Sequence, residues 1–262
     1  MDSINVIKLN NKEIKYLKFG SGSKNIIMIP GLSVKSVIDS SNLIIEAYKI
    51  FKDDYTIYLF ERIDVPKIYS IKDMAKDIID SVNYLGLKDL YLLGASQGGM
   101  ISVCLYLEDK NLVKKIVMAS SNFNVDEFAQ GIINSWIDLA KDNKKEELVL
   151  GFAKYVYPKE VLDNNYDMFI NLANSLDDND LITFISKANA LIGFDIRNHI
   201  NDINIPILIV NDKKDELIKH SEILKNVTNK PNFTYYHYDG YGHALYDLAI
   251  GFKELVIDFY NK

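Results

Sequence analysis

The sequence predicts an α/β fold: a doubly wound, mostly parallel sheet with a helical cap inserted into it. Three observations carry this expectation. Short apolar runs alternate with helix-period segments over residues 25–118 and again from 207 to the end. These runs are apolar on both faces, as strands covered by helices on both sides must be. Between residues 122 and 201 the strand pattern stops and only helical periodicity remains. Alternation of this kind sets successive strands parallel, because each crossover helix returns the chain to the same end of the sheet.

Residues 4–9 and 13–19 read as an N-terminal hairpin with Asn10-Asn11 as its turn. After the Gly20-Ser21-Gly22-Ser23 turn, residues 25–29 form an apolar strand that Pro30-Gly31 stops. Residues 55–60 are the next strand. Residues 71–85 place Met74, Ile78, Ile79 and Val82 on one helical face, with Gly86 as the cap. A strand at 90–93 runs into Gly94, followed by a helix at 100–107 and a strand at 115–118. In the inserted block, residues 126–140 space Phe128, Ile132, Ile133, Trp136 and Ile137 as a helix does. Residues 147–157, 161–176 and 181–196 read as three further helices. Strands resume at 207–210, behind Pro206, and at 233–238, and residues 244–260 close the chain as one helix. The implied division is a core of residues 1–121 and 202–262, with 122–201 as the cap.

Composition narrows the function classes. Of the 262 residues 48% are hydrophobic and 25% charged, which is globular and rules out wholesale disorder. A net charge of −6 with scattered lysines repels phosphate backbones, so no nucleic-acid partner is expected. No apolar run approaches the roughly 20 residues of a membrane helix. Met1-Asp2-Ser3-Ile4-Asn5 carries an acid where an export signal carries basic residues. The single Cys104 cannot form an intrachain disulfide and fits a reducing compartment. A cytoplasmic protein without a membrane span, monomeric or homodimeric, is the expectation. Asn226-Val227-Thr228 and Asn232-Phe233-Thr234 are then chance matches to a glycosylation acceptor. With no His-Glu-x-x-His and no Cys or His cluster at ligand spacing, neither a metal nor a cofactor is expected.

The most informative stretch is Leu93-Gly94-Ala95-Ser96-Gln97-Gly98-Gly99-Met100. It holds Gly-x-Ser-x-Gly between a predicted strand and a predicted helix. A serine on so sharp a turn is strained and exposed above the sheet, and side chains at the flanking glycines would strike neighbouring backbone. The helix behind it aims free N–H groups and a positive dipole end at the site, which suits an oxyanion. A nucleophilic serine needs a base, and the base an acid to orient it. Of four histidines, His243 alone sits in a Gly-rich loop after the last strand, where open α/β sheets meet ligands. His199, His220 and His237 read as structural or solvated. The acid should follow the strand at 207–210, where Asp212 and Asp215 are both candidates in the chain order Ser, Asp, His.

With these residues assembled, the chain resembles the α/β-hydrolase superfamily, in its cap-bearing, esterase-like branch. The matching segments are Ile29-Pro30-Gly31-Leu32, Gly94 to Gly99, Asp195-Ile196-Arg197 with Ile205 to Val210, Asp215, and Gly240-Tyr241-Gly242-His243. They cover residues 1–121 and 195–262. Aligned on Pro206, the resemblance implies Asp215 as the acid, with Asp212 as the alternative. It implies backbone N–H groups of Leu32 and Gln97 as the oxyanion donors. Serine at 96, where related dehalogenases and epoxide hydrolases carry Asp, disfavours those activities. Pro30 stands where the family commonly has His, and Glu61-Arg62-Ile63-Asp64 replaces its Asp-x-Arg-Gly-x-Gly.

The function implied is a cofactor-independent serine hydrolase acting through an acyl-enzyme. Its substrate would be an ester, thioester or related acyl compound, small and partly apolar. Trp136 and Phe128 are candidate substrate contacts, with Phe152 and Tyr155 facing either core or pocket. Carbon–carbon bond hydrolysis or cofactor-free oxygen chemistry on the same residues is the alternative, as is a ligand receptor with a vestigial triad.

Overall fold

The computed structural model describes residues 2–9, 11–227 and 230–262. Met1, Asn10 of the expected hairpin turn and Thr228 of the first acceptor tripeptide lie outside the described residues. The strands are β1 (Ser3–Leu9), β2 (Lys12–Gly20), β3 (Lys24–Ile29), β4 (Tyr55–Arg62), β5 (Leu90–Ala95), β6 (Val113–Ala119), β7 (Ile207–Asp212) and β8 (Phe233–Tyr238). They form one eight-stranded sheet in the order β1-β2-β4-β3-β5-β6-β7-β8. The β1–β2 and β2–β4 pairs are antiparallel, and every later pair is parallel. The doubly wound, mostly parallel sheet is therefore as expected, with the hairpin as its antiparallel edge.

The helices of the core are α1 (Ser41–Ala47), α2 (Ile71–Tyr84) and α3 (Gln97–Glu108) before the inserted block. The block holds α4 (Glu127–Lys141), α5 (Lys145–Val156), α6 (Lys159–Asn164), α7 (Tyr166–Asn174) and α8 (Asp178–Asn189). After it come α9 (His220–Val227), α10 (Leu245–Leu248) and α11 (Phe252–Asn261). The sheet separates two apolar layers. On one side Met74, Ile78 and Val82 of α2 pack with Ile101, Val103 and Leu105 of α3. On the other, Phe252, Val256 and Tyr260 of α11 pack against Leu17, Ile57 and Leu208 of the strands. Ser70 and Asp73 close a reciprocal capping box at the start of α2, which pairs two amides that the helix cannot satisfy itself.

Beyond shifts of one or two residues, four helical segments differ from the expectation. The segment 161–176 is two helices, because Asn165 leaves helical geometry at φ −122° and ψ 22°, with its side chain also donating to the Val161 carbonyl. The helix expected at 181–196 begins earlier, on an Asp177–Asp180 capping box, and ends at Asn189. Beyond it Phe194 and Ile196 bond back to Val125 and Phe123, pulling the chain out of helical register. The closing helix is interrupted at Gly251, whose φ of +81° starts α11 afresh. Helix α3 starts at Gln97 rather than Met100 and includes Gly98 and Gly99, where a Cβ would strike the Ile29 carbonyl oxygen and Ser121 Oγ respectively. Among the described residues no helix is long and apolar enough to cross a membrane.

Candidate active site

Strand β5 ends in the middle of the sheet, and α3 turns back from it at once. Ser96 is the hinge, with φ +51° and ψ −119°. A non-glycine residue there costs on the order of 1–3 kcal/mol unless its surroundings hold it. The surroundings do so by close backbone packing. A Cβ at Gly98 would lie 1.9 Å from the Ile29 carbonyl oxygen, and one at Gly94 would lie 2.4 Å from that of Gly98. Only glycine lets β5, α3 and the end of β3 approach this closely, and the approach keeps the turn sharp.

The loop after β8 brings His243 to this hinge. Ser96 Oγ lies 2.9 Å from His243 Nε2, and His243 Nδ1 lies 2.9 Å from Asp215 Oδ2. The second carboxylate oxygen of Asp215 accepts the N–H groups of Leu217 at 2.9 Å and Ile218 at 2.8 Å. Asp215 and His243 are each 4% exposed. An ionised carboxylate only accepts, so the Nδ1 proton faces Asp215 and Nε2 is left to accept from the serine hydroxyl. A chain of this polarity can draw a proton from Ser96 as the hydroxyl attacks an electrophile.

Asp212, the alternative acid, does not touch His243. Its carboxylate, fully buried, accepts N–H groups from Lys214 at 2.8 Å, Gly240 at 3.2 Å and Tyr241 at 2.9 Å. It thus joins the loop carrying Asp215 to the loop carrying His243. The remaining histidines stand elsewhere. His199 pairs with Asp202 at 3.1 Å, and His220 Nδ1 lies 2.6 Å from the Tyr235 hydroxyl with His237 beside its ring.

Leu32 and Gln97 flank the serine. The Leu32 loop runs directly against Ser96, since a Cβ at Gly31 would lie 3.0 Å from Ser96 Cβ. Gln97 is the first residue of α3, so its N–H has no intrahelical acceptor. Its side chain is buried and donates to the Lys187 carbonyl of α8 at 2.7 Å.

A cleft with about 490 Å³ of empty space, part of it open solvent at the mouth, opens on Ser96 and His243. Its walls are Leu32, Met100, Val125, Ala129, Ile133, Trp136, Phe152, Val156, Leu191, Leu217 and Ile218, with Tyr246 adding a phenol that burial holds well above its ordinary pKa. No Lys, Arg, Asp or Glu is among the lining residues. Trp136 and Phe128, both expected against the substrate, separate here. Trp136 lines the cleft beside Phe152, their ring centroids 4.9 Å apart. Phe128 stands outside it, 46% exposed, with the Lys219 ammonium 4.4 Å from its ring. Helix α4 is apolar on more than one face. Ala129, Ile133 and Trp136 share the cleft face, while Phe128 precedes that stripe by one residue and points about 100° away. Leu217, Ile218 and Leu191 belong to irregular segments, where no periodicity reports which way a side chain faces.

Cys104 lies two turns into α3, buried, and burial pushes its thiol up to about 12. The native protein should therefore resist alkylation by iodoacetamide at pH 8, with full modification only in denaturant; rapid native labelling would contradict this burial. Among the described residues no three His, Cys, Asp or Glu side chains are grouped to hold a metal ion.

A family model described as the alpha/beta hydrolase fold matches residues 53–249. RutD of Agrobacterium fabrum, provisionally named a carbamate hydrolase, is 24% identical over 174 residues, covering 64% of this chain and 65% of that protein. The chain thus spans just under two thirds of that relative. Among solved structures, MGS-M2, an alpha/beta hydrolase from a Medee basin deep-sea metagenome, superposes with a TM-score of 0.88 at 17% identity, covering 98% of both chains. An esterase from Exiguobacterium antarcticum gives a TM-score of 0.81 at 21% identity, covering both chains completely. At these identities the structural matches establish the shared fold.

Proposed function

Because the chain belongs to the α/β-hydrolase fold family, its hydrolase character is the premise here, and we propose that it is a serine hydrolase cleaving the acyl bond of a small, uncharged, apolar substrate. The observation that carries the reading is the unbroken hydrogen-bond chain from Ser96 through His243 to Asp215 at the floor of an apolar cleft. Ser96 Oγ bonds to the carbonyl carbon while His243 Nε2 takes its proton. Asp215 keeps the imidazole in the required tautomer and stabilises the imidazolium. The amides of Leu32 and Gln97 hold the tetrahedral oxyanion, a contribution of roughly 10²–10³ in kcat for one donor. The leaving group departs with the proton from Nε2. Water then attacks the acyl-enzyme, gives its own proton to His243, and frees the acid and Ser96. Residues 122–201 act in this reading as the cap, since they supply half of the residues around the cleft, most of those from α4 and α5.

The apolar lining sets the substrate class. A carboxylate on the acyl part would lose its water with no cation to replace it, a loss of several kcal/mol. Among p-nitrophenyl esters, kcat/KM for butyrate should exceed that for the succinate half-ester by at least about 100-fold. Trp136→Ala should move the optimum to longer acyl chains, while Phe128→Ala should leave kcat/KM within about twofold. Equal rates on the charged and uncharged esters would overturn the apolar assignment. The serine reading itself is tested by burst kinetics and by fluorophosphonate labelling at Ser96. Binding of esters without a burst or turnover would instead favour a receptor.

A further inference from the structure

The residue after the nucleophile is tied to the inserted block by its side chain, and so is the loop on the other side of the nucleophile. Lys187 lies in the last turn of α8, where a helix leaves carbonyls without amide partners. The Leu191 N–H that would reach Lys187 bonds to Ala188 instead, at 3.0 Å. Gln97 Nε2 takes the vacant place, donating to the Lys187 carbonyl at 2.7 Å from a site only 2% exposed. The Lys187 ammonium lies 4.0 Å from Glu61 Oε1 at the end of β4. Glu61 is buried and accepts from the Ser36 hydroxyl and from the Val37 N–H at 3.3 Å. It therefore holds the far end of the loop that begins at Pro30 and carries Leu32. Lys35 of the same loop donates to the Ser175 carbonyl, just before α8, at 2.8 Å.

One residue of the block is thus bonded on one side to Gln97 and on the other to the anchor of the Leu32 loop. Those are the two segments whose amides hold the oxyanion in the reading proposed above, on which this step rests. We infer that Gln97 and Glu61 are positioning residues through which the seating of α8 sets the spacing of the two oxyanion donors. The cap then does more than shape the pocket. A block that is not seated leaves Gln97 and the Leu32 loop without their shared tether, and the donors lose the alignment that transition-state stabilisation needs.

The test uses the full-length protein and two readouts that simple structural support would not move: the split between kcat and KM, and the affinity of an alkyl trifluoromethyl ketone, whose serine adduct carries the oxyanion. Gln97→Met keeps the backbone N–H and the side-chain volume but removes the donor. It should lower kcat by about 10- to 100-fold, weaken the ketone in parallel, and leave KM within about threefold. Lys187→Met retains the partly exposed stem and loses the charge. It should lower kcat by about 3- to 10-fold, with recovery in Lys187→Arg, and adding Glu61→Gln should cost little more. If Gln97→Met does not fold, the Lys187 and Glu61 variants decide the question alone. Folded variants whose kcat and ketone affinity stay within twofold of wild type would overturn the inference while wild-type labelling at Ser96 still stood. Wild-type protein that turns over ester without labelling at Ser96 would overturn the serine reading instead, and this inference with it.

Discussion

Ser96→Ala is expected to lose about 10⁶-fold in kcat on any ester the wild-type protein turns over, the loss a serine protease shows when stripped of its nucleophile. The hydroxyl is the only oxygen within hydrogen-bond distance of His243 Nε2 among the described residues, so nothing nearby can replace it. The variant should keep the melting temperature of the wild type within a few degrees, because the loss is one oxygen at a site open to the cleft. Ser96→Gly adds a second, opposite expectation. Glycine relaxes at φ +51°, so this variant should be more stable than Ser96→Ala by about 1 kcal/mol. Activity of Ser96→Ala above a tenth of wild type would remove Ser96 from the mechanism. The check is single-turnover kinetics on purified protein, with mass spectrometry to exclude wild-type contamination.

Asp215→Asn is expected to cost about 10⁴ in kcat, and Asp212→Asn far less, although the two lie three positions apart on one loop. Asp215 faces His243 Nδ1 at 2.9 Å, and an amide there favours the tautomer that places the proton on Nε2. Nε2 then cannot accept from Ser96. Among the described residues the Asp212 carboxylate accepts from three backbone N–H groups, one in its own loop and two in the loop carrying His243. An asparagine oxygen cannot reproduce all three contacts, and its NH₂ would oppose a donor. The expected loss is therefore in stability, on the order of 2–3 kcal/mol, read as a lower denaturation midpoint. In the protein that remains folded, kcat should fall by no more than about tenfold. The reverse ranking of the two kcat values would move the acid to Asp212. Equal mild losses would mean that neither carboxylate orients the imidazole.

The sequence alone determines the class of fold, the position of the helical block and the neighbourhood of Ser96, Asp215 and His243. Those features rest on local rules. Strands buried on both faces must read as continuous apolar runs, and a serine on a strand–turn–helix hinge demands glycines at fixed offsets. Gly94, Gly98 and the loop around His243 are legible for that reason. What lay beyond the sequence depends on contacts between distant segments. The pairing of Asp215 rather than Asp212 with His243 is decided by which carboxylate the loop turns toward the histidine, 28 residues away. The resemblance alone implies that ranking; neither aspartate declares it in its own surroundings. The same holds for the stripe of α4 that meets the cleft: Phe128 and Trp136 are both apolar at helical spacing, and only the docking of α4 over Ser96 separates them. The link from Gln97 to Lys187, 90 residues apart, has no local signal, since any helix ends with carbonyls that need partners. Periodicity states which residues can share a face; the tertiary structure decides what that face meets, because packing partners are chosen by the whole chain at once.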